Sequence, residues 1–111
     1  MTQFEARTAT GTGRAVVSLA GECDLAVRDQ FEAALTAAVR AAPEVLVDAA
    51  ELRFLDSSGV HTLVMAHRAA QAEGRRLHLV NATGVVAHVL EVTGVADLLR
   101  PPGETGGNGR G

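Results

Sequence analysis

Residues 45–64 read VLVDAAELRFLDSSGVHTLV, and the fold turns on how that stretch divides. It opens on a short apolar run, Val45 to Val47, of the kind that forms a buried strand. It closes in a helical pattern from Ser58 to about Glu73, in which Val60, Leu63, Val64 and His67 share one face. Between the two, DAAELRFL follows neither the strand nor the helix period and reads as an irregular connection. Asp56-Ser57-Ser58-Gly59 then stands at the helix start, with Gly74 a suitable stop at the far end. A buried strand leading to an amphipathic helix is one half of a strand–helix–strand crossover, so the stretch predicts an α/β fold.

The flanks extend the pattern in both directions. Phe4 to Thr8 and Arg14 to Ala20 read as strands around TATGTG, whose Gly11 and Gly13 suit a hairpin turn. After Gly21, Asp24 is placed to cap a helix from about Ala26 to Arg40, with Val27, Phe31, Ala34, Leu35 and Ala38 in one stripe. Pro43 opposes its continuation. Leu77 to Val80 reads as another strand, Gly84 to Thr93 as a helix ended by Gly94, and Ala96 to Leu99 as a last turn. Two crossovers in succession imply parallel neighbours. The expected fold is a small mixed β-sheet with an N-terminal hairpin, packed by three to four helices. Residues 1–100 form a single domain, and PPGETGGNGRG supplies a disordered tail over 101–111.

Composition narrows the function. Of 111 residues 47% are apolar but only three are aromatic, all Phe, so the core is built from Val, Leu and Ala. The net charge of −3 and the absence of Lys leave no basic footprint for nucleic acid. Arg68, Arg75 and Arg76 read as a solvated helix end. One cysteine, Cys23, allows no intrachain disulfide and suits a small residue filling a turn. The N-terminal residues have no signal-peptide layout, and no apolar run approaches the roughly 20 residues of a membrane helix. A cytoplasmic protein with no membrane partner is expected.

Asp56-Ser57-Ser58-Gly59 is the one cluster that invites chemistry. At a helix N-terminus, free N–H groups and partial positive charge stabilise an anion. The cheapest reading is a cap by Asp56 or Ser57, contributing roughly 1 kcal/mol. A serine nucleophile lacks support: the stretch is not G-x-S-x-G, and His61 has no evident acid to orient it. The four histidines, at positions 61, 67, 78 and 88, form no ligand pattern, and His67 falls on an apolar stripe. GTG at 11–13 belongs to a hairpin rather than a phosphate loop. No enzyme, metal or cofactor is expected.

Three segments, LAGECDLAVRDQFEAAL, VLVDAAELRFLDSSGVHTLV and RLHLVNATGVVAHVLEVTGV, resemble in order and spacing the STAS domain of the anti-sigma factor antagonists. The resemblance runs from Arg14 to Leu99 and rests on Gly21-Glu22 with Asp24, on Asp56 to Gly59, and on Thr93 to Val95. It implies a switch whose phosphoacceptor is Ser57. Unphosphorylated, such a protein binds an anti-sigma factor with serine kinase activity and frees a sigma factor; a metal-dependent, PP2C-like serine phosphatase reverses the modification. The implied partner surface is Asp24, Asp56, Ser57, Ser58, Gly59 and His61. The alternative is a stand-alone STAS subunit of another assembly, a lipid-transport ABC complex or a stressosome-like scaffold. His61 departs from the family, which usually carries a small residue there. The identity of the sigma factor and the oligomeric state are left open.

Overall fold

The chain folds into a four-stranded sheet with strands in the order β1-β2-β3-β4, in a computed structural model that describes residues 3–103. The elements are β1 (Phe4–Gly11), β2 (Arg14–Cys23), α1 (Arg28–Ala41), β3 (Glu44–Leu55), α2 (Ser57–Ala72), β4 (Arg76–Val80), α3 (Gly84–Val92) and α4 (Ala96–Leu99). β1 and β2 pair antiparallel around the Gly11–Gly13 turn, whereas β2/β3 and β3/β4 are parallel. Right-handed crossovers through α1 and α2, taken in the same direction along the sheet, put both helices on one face. The expected mixed sheet is what forms.

Period two in the strands builds that face. Ala15, Val17 and Leu19 of β2 are buried, as are Val45 and Val47 of β3 and Leu77 and Leu79 of β4. Ala15 pairs with Val45 and Val17 with Val47, while Val45 pairs with Leu77 and Val47 with Leu79, so these side chains line up in rows. Phe31, Leu35, Ala38 and Val39 of α1 and Val60, Leu63 and Ala70 of α2 close over them. A fully buried Leu or Phe contributes roughly 1.5–3 kcal/mol by leaving water. The Phe4 ring meets Phe31 edge-on at 5.8 Å, which fastens β1 to α1.

DAAELRFL is not irregular: it is the second half of β3. The buried positions step from Ala49 to Leu52 to Leu55, every third residue rather than every second. The cause is the pairing with β2. Ser18 faces Asp48 while Ala20 faces Glu51, and Gly21 faces Leu52 while Glu22 faces Phe54. Each shift inserts one extra β3 residue, so two bulges erase the alternation that would have marked a strand. β2 also runs on past Gly21 to Cys23.

The helix ends follow their sequence signals. Gly74 sits at φ +73, with Arg75 N–H donating to the Ala70 carbonyl at 2.8 Å and Gly74 N–H to that of Gln71 at 3.0 Å. That is a Schellman stop. Of the tail expected over 101–111, residues 104–111 lie outside the described residues; Pro101 is half-buried.

Candidate functional site

The site is assembled where β2 and β3 end side by side. Cys23 pairs with Leu55, the last residue of each strand, and the Asp56 N–H donates to the Cys23 carbonyl at 3.2 Å. The chain leaves each strand through an aspartate. Asp24 does not cap α1 directly, as its spacing had implied. It caps a 3₁₀ turn, Leu25–Val27, by accepting from the Ala26 N–H at 3.0 Å, and α1 starts one residue later.

Asp56 is the N-cap of α2. Its Oδ1 accepts from the N–H groups of Ser58 and Gly59, at 3.0 and 3.2 Å, and from the Ser58 hydroxyl at 2.6 Å. The Leu25 N–H also bears on this carboxylate, tying the two aspartate turns together. Partial burial alone would raise the Asp56 pKa, but the hydrogen bonds from Ser58, Gly59 and Leu25 outweigh it and hold the carboxyl below its ordinary value. Asp56 is therefore a committed structural anion.

The two serines are not equivalent. Ser58 is half-buried and its hydroxyl is held by Asp56. Ser57, the first residue of α2, is exposed, and its hydroxyl has no hydrogen-bond partner among the described residues. The free hydroxyl thus faces solvent at a helix N-terminus whose next two N–H groups are already taken.

Gly59 explains itself by contact. A Cβ there would lie 2.4 Å from Leu55 Cδ1 and 3.1 Å from Cys23 Sγ, so α2 can approach the strand ends only through a glycine. Cys23 is fully buried beneath this junction. Burial first, then the nearby carboxylates of Asp56 and Asp24, push its thiol up to about 12. It fills space and is not a reactive thiolate. The same electrostatics place Asp24 and Asp56 on one acidic corner.

His61 lies one turn along α2 from Ser57 and is exposed. Its ring lines a groove of about 370 Å³ between α1 and α2, with Arg28, Glu32, Thr36 and Met65. Among the described residues no acid pairs with His61 to orient it toward Ser57. The structure thus brings together Asp24, Asp56, Ser57, Ser58 and Gly59, and sets His61 on the adjoining groove. Leu25 was not singled out from the sequence. It is 68% exposed beside Asp24, and Met65, 51% exposed, lines the groove. The signal was present: Leu25 sits just ahead of the α1 stripe and has no core position to fill. Among the described residues no group of His, Cys, Asp and Glu is arranged to hold a metal, and no helix is long and apolar enough to cross a membrane.

Comparison with known proteins adds a lineage to this geometry. The family model described as Mlab, STAS domain, matches residues 6–101. The structure resembles that of the anti-sigma factor antagonist SpoIIAA in its unphosphorylated form, with 26% identity, 86% of this chain and 84% of that one covered, and a TM-score of 0.72. It also resembles the Bacillus cell fate determinant SpoIIAA in the phosphorylated form, with 25% identity, 86% of each chain and a TM-score of 0.66. An anti-sigma factor antagonist from Mycobacterium paratuberculosis matches over 87% of this chain and 83% of that one, with a TM-score of 0.79; at 21% identity that likeness carries the fold alone. No curated protein sequence matches the chain.

Proposed function

The chain belongs to the STAS-domain family, and from that premise we propose that it is an anti-sigma factor antagonist switched by phosphorylation of Ser57. The observation that carries the proposal is the asymmetry of the two serines: Ser58 is consumed by the Asp56 cap, and Ser57 is exposed with its hydroxyl free. The existence of unphosphorylated and phosphorylated forms of the similar SpoIIAA supports the same reading.

The switch works through charge. Unphosphorylated, the corner offers small hydroxyls, the exposed Leu25 and the groove carrying His61 to an anti-sigma factor. A phosphoryl group on Ser57 adds about −1.5 to −2 charge beside Asp56 and Asp24. Asp56 has committed its carboxylate to Ser58, Gly59 and Leu25, so it stays ionised and cannot relieve the repulsion by taking a proton. The helix N-terminus tolerates the dianion, and the fold survives while the docking surface becomes acidic and bulky. A loss of about 1.4 kcal/mol weakens the partner tenfold. The kinase is the anti-sigma factor itself, and a metal-dependent serine phosphatase resets the corner.

Incubation with the cognate kinase and ATP, followed by mass spectrometry, tests this directly. Phosphate on Ser57 is expected; phosphate on Ser58 alone, or on neither, overturns the assignment. Ser57→Asp is expected to fold normally and lose the anti-sigma partner, and Ser57→Ala to bind it constitutively. The family model's description, Mlab, favours keeping a second reading in view, that of a stand-alone STAS subunit of another assembly. There the same corner docks a partner without phosphoryl transfer, so stable co-purification with a transporter ATPase and no phosphate on Ser57 would select it.

A further inference from the structure

At the opposite end of the sheet, a second polar cleft is unconnected with Ser57. β3 and β4 run parallel, Arg76 pairs with Glu44 at the start of β3, and Ser57 follows the end of that strand. Twelve strand residues at about 3.3 Å each separate the two regions by roughly 35–40 Å. The cleft, of about 320 Å³, is lined by His67, Gln71, Arg75, Arg76, His78 and Pro102 among others, none of them acidic.

Its chemistry is unusual for a helix end. His78 is 8% exposed, and neither ring nitrogen has a hydrogen-bond partner among the described residues; its one ring contact is His67, edge-on at 5.8 Å. A buried polar ring left unpaired is costly and asks for a partner. His67, also buried, sits 2.7 Å through Nδ1 from the Leu77 carbonyl. A carbonyl only accepts, so Nδ1 carries the proton and Nε2 is left for another partner. Arg75 is committed to the Val39 carbonyl at 2.9 Å, whereas Arg76 is exposed and makes no ion pair among the described residues. Two guanidinium groups flank two imidazoles, and among the described residues the acid bearing on His78, Glu44, is engaged by Arg14 at 3.1 Å. A cation is repelled from such a place and an oxyanion is drawn to it.

We infer that this cleft binds a small tetrahedral oxyanion of the phosphate class, held by Arg76 and by His78 as the protonated donor, with His67 and Gln71 completing the shell. The volume fits the lower end of small-molecule sites, which leaves room for a small phosphate monoester as well as the free ion. Burial, then His67 and Arg76, keep the His78 imidazole below its ordinary pKa, with Glu44 acting in the opposite sense. A bound dianion reverses that balance, so binding takes up a proton and strengthens as pH falls. Among the described residues, the titratable and charged groups facing His78 are His67 from α2, Arg76 beside it on β4 and Glu44 from β3.

Titration of the full chain with inorganic phosphate and with glycerol phosphate, following the His67 and His78 ring resonances by NMR, tests the site. Both rings are expected to shift saturably. Tighter binding of glycerol phosphate identifies an organic phosphate as the source, and equal binding the free ion. Sulfate, whose charge is constant in this range, is expected to bind at least about threefold more tightly near pH 6 than near pH 8. Arg76→Gln, a change at an exposed position, is expected to weaken binding about tenfold or more, and Arg76→Lys to recover part of it. Shifts that never saturate, that chloride reproduces at equal ionic strength, or that persist unchanged in Arg76→Gln would overturn the inference. His78→Gln, checked for folding by circular dichroism, must also lose the pH dependence; its survival would equally overturn it.

Discussion

Replacing Gly59 by Ala puts one methyl group where α2 meets the two strand ends. The new Cβ would stand 2.4 Å from Leu55 Cδ1 and 3.1 Å from Cys23 Sγ. A flexible side chain could swing aside, but Leu55 is 1% exposed and Cys23 fully buried, so neither has anywhere to go. Overpacking of this kind costs about 1–3 kcal/mol. Against it stands the helix propensity gained on replacing Gly, at most about 1 kcal/mol in a helix interior. The net expectation is a loss of about 1–2 kcal/mol, which for a domain of this size lowers Tm by roughly 4–8 °C per kcal/mol. Urea unfolding of both proteins, with the slope checked for constancy, measures it. A double-mutant cycle locates the cause. Leu55→Ala by itself costs about 2–5 kcal/mol through its cavity, but in that background Gly59→Ala is expected to be neutral or stabilising, because the clashing atom is gone. If Gly59→Ala alone equals or exceeds the parent in stability, or the cycle shows no coupling, then helix α2 is not pinned by this contact and the account of the junction fails.

Three other outcomes follow from the same corner and its neighbour. Gly21→Ala is expected to be more damaging than Gly59→Ala, since its Cβ would lie 2.0 Å from the Gln3 carbonyl oxygen at φ +91, with backbone rather than side chain in the way; comparable or milder destabilisation in the same urea experiment would contradict this. Asp56→Asn, which keeps a capping oxygen but removes the carboxylate charge at the helix N-terminus, is expected to lose about 0.3–1 kcal/mol at neutral pH. Because the folded Asp56 pKa lies below the ordinary 3.8, its contribution is present above that value and disappears as pH falls through the lower folded value, so the variant's stability should decline less steeply than the parent's in that acid range; parallel curves would refute the cap's electrostatic role. Cys23, buried with its thiol pushed up to about 12, should resist a thiol reagent at about pH 8 until the protein is unfolded; rapid labelling of the native state would show the junction to be open.

The local signals that sequence carries are short in range, and they decided a good deal. Val45 to Val47 marked a buried strand, the Val60, Leu63 and His67 spacing marked one helix face, and Gly74 marked its end, because strand and helix periods and a left-handed stop are written in neighbouring residues. The Asp56-Ser57-Ser58-Gly59 turn was legible as a helix start for the same reason.

Tertiary structure alone decided what depends on residues far apart in the chain. The alternation in 48–55 is broken by bulges whose cause lies in β2, thirty residues away, so the segment looked irregular when read alone. That α1 begins after a 3₁₀ turn reflects the Leu25 N–H being drawn to Asp56 across the corner. The His67–His78 pair joins a helix to an edge strand eleven residues on, where only the packing of α2 on β4 makes them meet. Periodicity specifies an element from within; a bulge, a buried contact or a shared ligand shell is specified from across the fold, and exists only once the fold has closed.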